Sequence, residues 1–92
     1  KTMATLFVFD APFGGVFHMR NVLGPLDILF ADKAGIVLDA QTMAVYSKEN
    51  GKTGYSPGTS FYYALEIAAG RLGASVQELI GARLRIKGVI PQ

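Results

Sequence analysis

The chain has 92 residues, half of them hydrophobic and 17% charged, which fits one small domain spanning 1–92 and excludes a disordered chain. A formal charge of +2 is too small to imply nucleic acid, and no apolar run approaches the roughly 20 residues of a membrane helix, so neither partner is expected. With no cysteine there is no disulfide framework, thiolate nucleophile or Cys-based zinc site, and a core this small makes association, a homodimer first, the expected remedy.

Residues 2–9 are rich in β-formers and read as a strand. Its apolar run, Leu6 to Phe9, is ended by Asp10 and Pro12 and does not make a signal peptide. The compartment stays open, with the cytoplasm the first expectation. Ala11-Pro12-Phe13-Gly14-Gly15 reads as a loop.

The most informative stretch is Val16 to Asp32, which holds the single histidine. Val16 to Val22 alternates, with Phe17 and Met19 on one face and Val16, His18 and Arg20 on the other. Gly24-Pro25 marks a turn. Leu26 to Ala31 alternates again, with Leu26, Ile28 and Phe30 on one face and Asp27 and Leu29 on the other. If the two runs pair as a hairpin, their apolar sets must share a side. A register centred on Gly24 puts Phe17 near Phe30, Met19 near Ile28 and Arg20 near Asp27. Asp32-Lys33-Ala34-Gly35 has the residues of a type I turn, and residues 36–41 return as a strand. Residues 16–41 thus read as a three-stranded meander.

Residues 47–58, with Asn50-Gly51, Gly54 and Pro57-Gly58, read as a hairpin tip or an irregular surface loop. Residues 61–68 suit either a helix or a strand. The strand is preferred because it gathers Phe61, Tyr63, Leu65 and Ile67 on one side. Ser75-Val76-Gln77-Glu78 matches a capping box, with Gly81 closing a short helix. Arg83 to Lys87 alternates as a last strand with a basic outer face. The expected fold is mainly β, with one short α-helix, as a small antiparallel β-barrel-like or curved-sheet domain.

Several of these segments occur together in one family. Phe17-His18-Met19-Arg20-Asn21, then Pro25-Leu26-Asp27 and a turn with Gly35, resembles the central signature of the DUF192 proteins. Leu6-Phe7-Val8-Phe9, Tyr55-Ser56-Pro57 and Ala64-Leu65-Glu66-Ile67-Ala68-Ala69-Gly70 extend the resemblance over residues 6–87. His18 stands where the family usually has Trp, Val22 where it often has Thr, and Gly81-Ala82 where it usually has Gly-Asp. The family's N-terminal strands, with their G-L-M-x-R segment, have no counterpart. The resemblance implies a small antiparallel β-barrel-like fold and no particular activity.

As chemistry, His18 is the one neutral-pH base, and a hydrolase would need it beside a Ser and Asp27 or Asp32. No motif places Ser47, Ser56, Ser60 or Ser75 there. His18 with Asp27, Asp32 or Glu66 has no diagnostic metal spacing, so no metal and no cofactor is expected. The candidate ligand-binding set is His18, Arg20, Asn21, Asp27, Tyr55 and Glu66, read as a patch on one sheet face for an unidentified small or polar ligand. The competing reading pairs Arg20 with Asp27 or Glu66 internally, with Asn21 on backbone. Arg71, Arg83, Arg85 and Lys87 near Tyr62 and Tyr63 form a basic region, more often the solvated face of an edge strand than a nucleic-acid surface. Tyr46, Tyr55, Tyr62 and Tyr63 are the residues to line a ligand groove, though Tyr63 reads first as a core residue. The expected function is a non-enzymatic binding module, with a homo-oligomeric assembly protein as the alternative.

Overall fold

A computed structural model of the chain describes residues 4–17, 24–44, 54–73 and 75–85. Among these residues are four strands, β1 (Ala4–Phe13), β2 (Leu26–Ala31), β3 (Val37–Met43) and β4 (Phe61–Ala68). They form one antiparallel sheet in the order β1-β4-β2-β3. The fold is therefore mainly β, and among the described residues the sheet is not closed on itself. The register shifts between Val8 and Phe13 in β1, and between Phe30 and Ala31 in β2.

The β2–β3 hairpin forms around Asp32 as its residues dictate. Gly35 N donates to the Asp32 carbonyl at 2.9 Å, and Gly35 takes the positive φ of 88° that favours glycine. The Asp32 carboxylate accepts from the backbone N–H groups of Ala34 and Ile36, both at 2.9 Å, and so fixes the turn from inside.

The expected hairpin between residues 16–22 and β2 does not form, and with it goes the three-stranded meander. Every residue of β2 is already paired with β3 on one side and β4 on the other. Phe17 instead bridges Tyr55, with Phe17 N to Tyr55 O at 2.9 Å and Tyr55 N to Phe17 O at 2.7 Å. The side-chain neighbourhood survives without the strand pairing, since the Phe17 and Phe30 rings lie 5.9 Å apart. The expected positions of Met19 and Arg20 fall outside the described residues.

The sheet is a central layer with both faces covered. On one face Ile28, Phe30, Met43, Phe61 and Ala64 pack with Tyr55, and Phe7, Phe9, Phe17 and Leu26 adjoin them. On the other, Leu29, Val37, Ala40 and Val76 pack with Leu65, Leu72, Leu79 and Leu84. Leu29 lies opposite the Ile28 and Phe30 face, as the alternation expects, and the C-terminal segment covers it and leaves it 1% exposed. Residues 61–68 form the strand preferred over a helix, although Phe61 joins Ala64 rather than Leu65 in its cluster.

Two boundary expectations change. β1 runs on through Pro12 to Phe13, where a loop was expected. Pro12 falls in the irregular stretch between Val8 and Phe13, where it has no registered partner in β4, and Phe13 pairs with Phe61 beyond it. The short α-helix is one 3-10 turn, Val76–Leu79. The Ser75 hydroxyl donates to Gln77 Oε1 at 2.9 Å rather than capping the helix backbone, so the capping box is not made. Gly81, at φ 92°, reverses the chain so that its N–H reaches the Val37 carbonyl at 2.9 Å. Beyond it the expected last strand is reduced, among the described residues, to a bridge between Arg83 and Ile36.

Candidate functional site

Three of the six sequence-derived candidates are described, and they do not form one patch. Asp27 and Ile67 are direct partners across β2 and β4, as are Ile28 and Glu66. Direct partners share a face and successive residues alternate, so Asp27 and Glu66 lie on opposite faces of the sheet. The single-face arrangement of these two is therefore corrected by the register. His18, Arg20 and Asn21 lie outside the described residues.

Asp27 is a buried carboxylate, 4% exposed, and its acceptors are used internally. Oδ1 accepts from the Thr42 hydroxyl at 2.6 Å and Oδ2 from the Gly70 N–H at 3.2 Å. Beside it the Ala69 N–H donates to the Pro25 carbonyl at 3.1 Å. Asp27 thereby ties β3 and the turn after β4 to β2. Tyr55 is also structural. Its ring is buried on the Phe30 face, and its hydroxyl accepts from the Ala44 N–H at 3.1 Å. Glu66 is half-buried on that same face, between Thr5 and Ile28. Burial pushes its carboxyl above the usual glutamate range, because removing water penalises the charged form.

A different group of residues encloses a space. The β2–β3 turn and the segment after Gly81 frame a cleft of about 460 Å³, lined by Lys33, Ala34, Gly35, Tyr63, Arg83, Leu84 and Arg85. Backbone bonds hold its two walls together. Leu84 N donates to the Gly35 carbonyl at 2.8 Å, and Val37 N to the Ala82 carbonyl at 2.8 Å. The contact at Gly35 leaves no room for a side chain, since a Cβ there would lie 2.7 Å from the Leu84 carbonyl oxygen. Leu84 packs against the Leu29 cluster, while Arg83 and Arg85 are exposed on either side of it. Lys33 enters from the turn opposite, with its ammonium 6.0 Å from the Tyr62 ring, the outer limit of a cation–π contact. Tyr63 is half-buried and lines the cleft from β4.

The lining carries three cations and, among the described residues, no carboxylate. The Asp32 carboxylate is the nearest acid in sequence, and it is turned onto the turn's own backbone. The arrangement suits an anion, which would supply the missing negative charge and acceptor oxygens. Among the described residues no group of three or more His, Asp or Glu side chains comes together to hold a metal, and no helix is long and apolar enough to cross a membrane.

The family model of DUF192, described as "Uncharacterized ACR", matches residues 1–86. The chain belongs to the DUF192 family. No curated protein and no solved structure matches it. In this DUF192 chain the P-L-D aspartate, Asp27, holds strands together, and the glutamate of the A-L-E-I-A-A-G segment, Glu66, sits away from it across the sheet. The cleft draws on Arg83, Arg85 and Tyr63, which the basic C-terminal pattern had marked, and on Lys33, which it had not. Lys33 reads as an ordinary turn residue. Only the antiparallel bridge between Ile36 and Arg83 brings it opposite the arginines.

Proposed function

We propose that this DUF192 chain is a non-enzymatic binding module for a small anionic ligand held in the cleft between the β2–β3 turn and residues 83–85. The supporting observation is that Lys33, Arg83 and Arg85 all line one cleft with no lining carboxylate among the described residues. A volume of about 460 Å³ lies within the size range of small-molecule sites, roughly 300–1,000 Å³. The test is calorimetric titration with inorganic phosphate, followed by recovery of the anion. Saturable binding that weakens with added salt and is lost in a combined K33Q, R83Q and R85Q variant of unchanged circular dichroism supports the reading. Binding that survives that variant overturns it.

A second reading, a homodimer, is favoured by apolar side chains left at the surface. Phe13 is 37% exposed and Val16 61% exposed. Exposed apolar side chains are what a second copy of the chain would cover. Light scattering that reports a monomer at high concentration overturns it, and a dimer that dissociates on V16S substitution supports it. The two readings are compatible.

A further inference from the structure

We infer that the ligand of the cleft is a phosphate monoester carried on a flat ring. This rests on the reading of the cleft as an anion site. The charge on the walls argues for phosphate. A monocarboxylate brings one negative charge, whereas a phosphate monoester carries about −1.5 to −2 at neutral pH with three strong acceptor oxygens. The two guanidinium forks of Arg83 and Arg85 in the lining match that charge and those oxygens.

The size and the remaining walls argue for the body. An inorganic anion fills only a small part of about 460 Å³. The rest of the lining is uncharged: Ala34, Gly35, Leu84 and the half-buried Tyr63. Tyr63 is held in place by pairing with Val8 on one side and Ala31 on the other. A tyrosine held on a strand presents a large surface at low cost in conformational freedom, and a flat ring is the partner that uses it best. Ring against Tyr63 and phosphate beside Arg83 and Arg85 is one pose that satisfies both halves of the cleft.

The experiment compares inorganic phosphate, phenyl phosphate and cyclohexyl phosphate by calorimetry on the whole chain. Phenyl phosphate is expected to bind about tenfold more tightly than inorganic phosphate, the size of one aromatic contact. Cyclohexyl phosphate, similar in size but not flat, is expected to fall well short of it. Arg83→Gln should weaken all three phosphates by a similar factor. Tyr63→Leu should bring the ratio of phenyl to inorganic phosphate affinity down towards one. If phenyl phosphate binds no better than inorganic or cyclohexyl phosphate, the ring is wrong while the anion site stands. If none of the three binds, both fail. The comparison of ligands on the unaltered chain decides the matter even if Tyr63→Leu does not fold.

Discussion

At Asp27 a charge is buried because two donors meet it. Its partners lie at the end of β3 and in the turn after β4, so one carboxylate fastens three parts of the sheet. Asp27→Ala removes both acceptors at once. The expected loss is about 1–3 kcal/mol in urea denaturation, the lower part of that range being favoured because Thr42 and Gly70 are exposed and regain water. Phosphate affinity should not change, since Asp27 does not line the cleft. Glu66 is the opposite case, a half-buried carboxyl whose pKa is raised by burial. The folded chain therefore holds this proton more tightly than the unfolded chain. Glu66 costs no stability below the ordinary glutamate pKa, and stability falls as pH rises from that value through the raised folded one. Glu66→Gln removes the penalty. The variant should melt like the parent in acid and slightly higher at neutral pH, with a gain below about 1 kcal/mol because solvent screens a half-exposed group.

At the scale of elements, the β2–β3 turn does two jobs through adjacent residues. Asp32 closes it, Lys33 arms the cleft, and Gly35 lets residues 82–85 lie against it. Gly35→Ala tests the connection. The alanine meets both a left-handed backbone, which costs roughly 1–2 kcal/mol, and a backbone oxygen 2.7 Å away that cannot swing aside as a side-chain tip does. The expected loss is about 2–4 kcal/mol in total. Protection of the Leu84 amide against hydrogen exchange should drop first, and phosphate binding should weaken with it. Retained protection and affinity would mean that the segment is not held by this contact. The turn itself was legible, because Asp at its first position and Gly at its fourth are local chemistry. The Asp32 side-chain bonds follow from the same few residues. The dock of Leu84 onto Gly35 was not legible, because it joins positions far apart in the chain through backbone atoms that any residue possesses.

Across the whole molecule, the same division separates what periodicity reveals from what it hides. Alternation marked β2 and β4 as strands, while Phe17 comes near Phe30 without the hairpin that was expected to bring it there. It could not say that β4, not residues 16–22, takes the second edge of β2, because pairing choice depends on contacts between distant segments. Nor could it reveal that Leu29 is covered. A residue opposite the main apolar set looks exposed until the C-terminal segment supplies Leu72, Val76, Leu79 and Leu84. That second cover has a measurable consequence. β2 is bonded on both edges and packed on both faces, so its amides can open only when the domain unfolds. Among the described residues β1 has one sheet neighbour, and its end near Phe13 lies beyond a register shift. Native-state hydrogen exchange should therefore give Ile28, Leu29 and Phe30 the full free energy of unfolding, with residues 10–13 of β1 opening at lower cost. In Gly35→Ala the three β2 amides should fall together with global stability, whereas the Leu84 amide should fall further. Uniform exchange across β1 and β2 would mean that the sheet opens as one unit and that its central strand has no special standing.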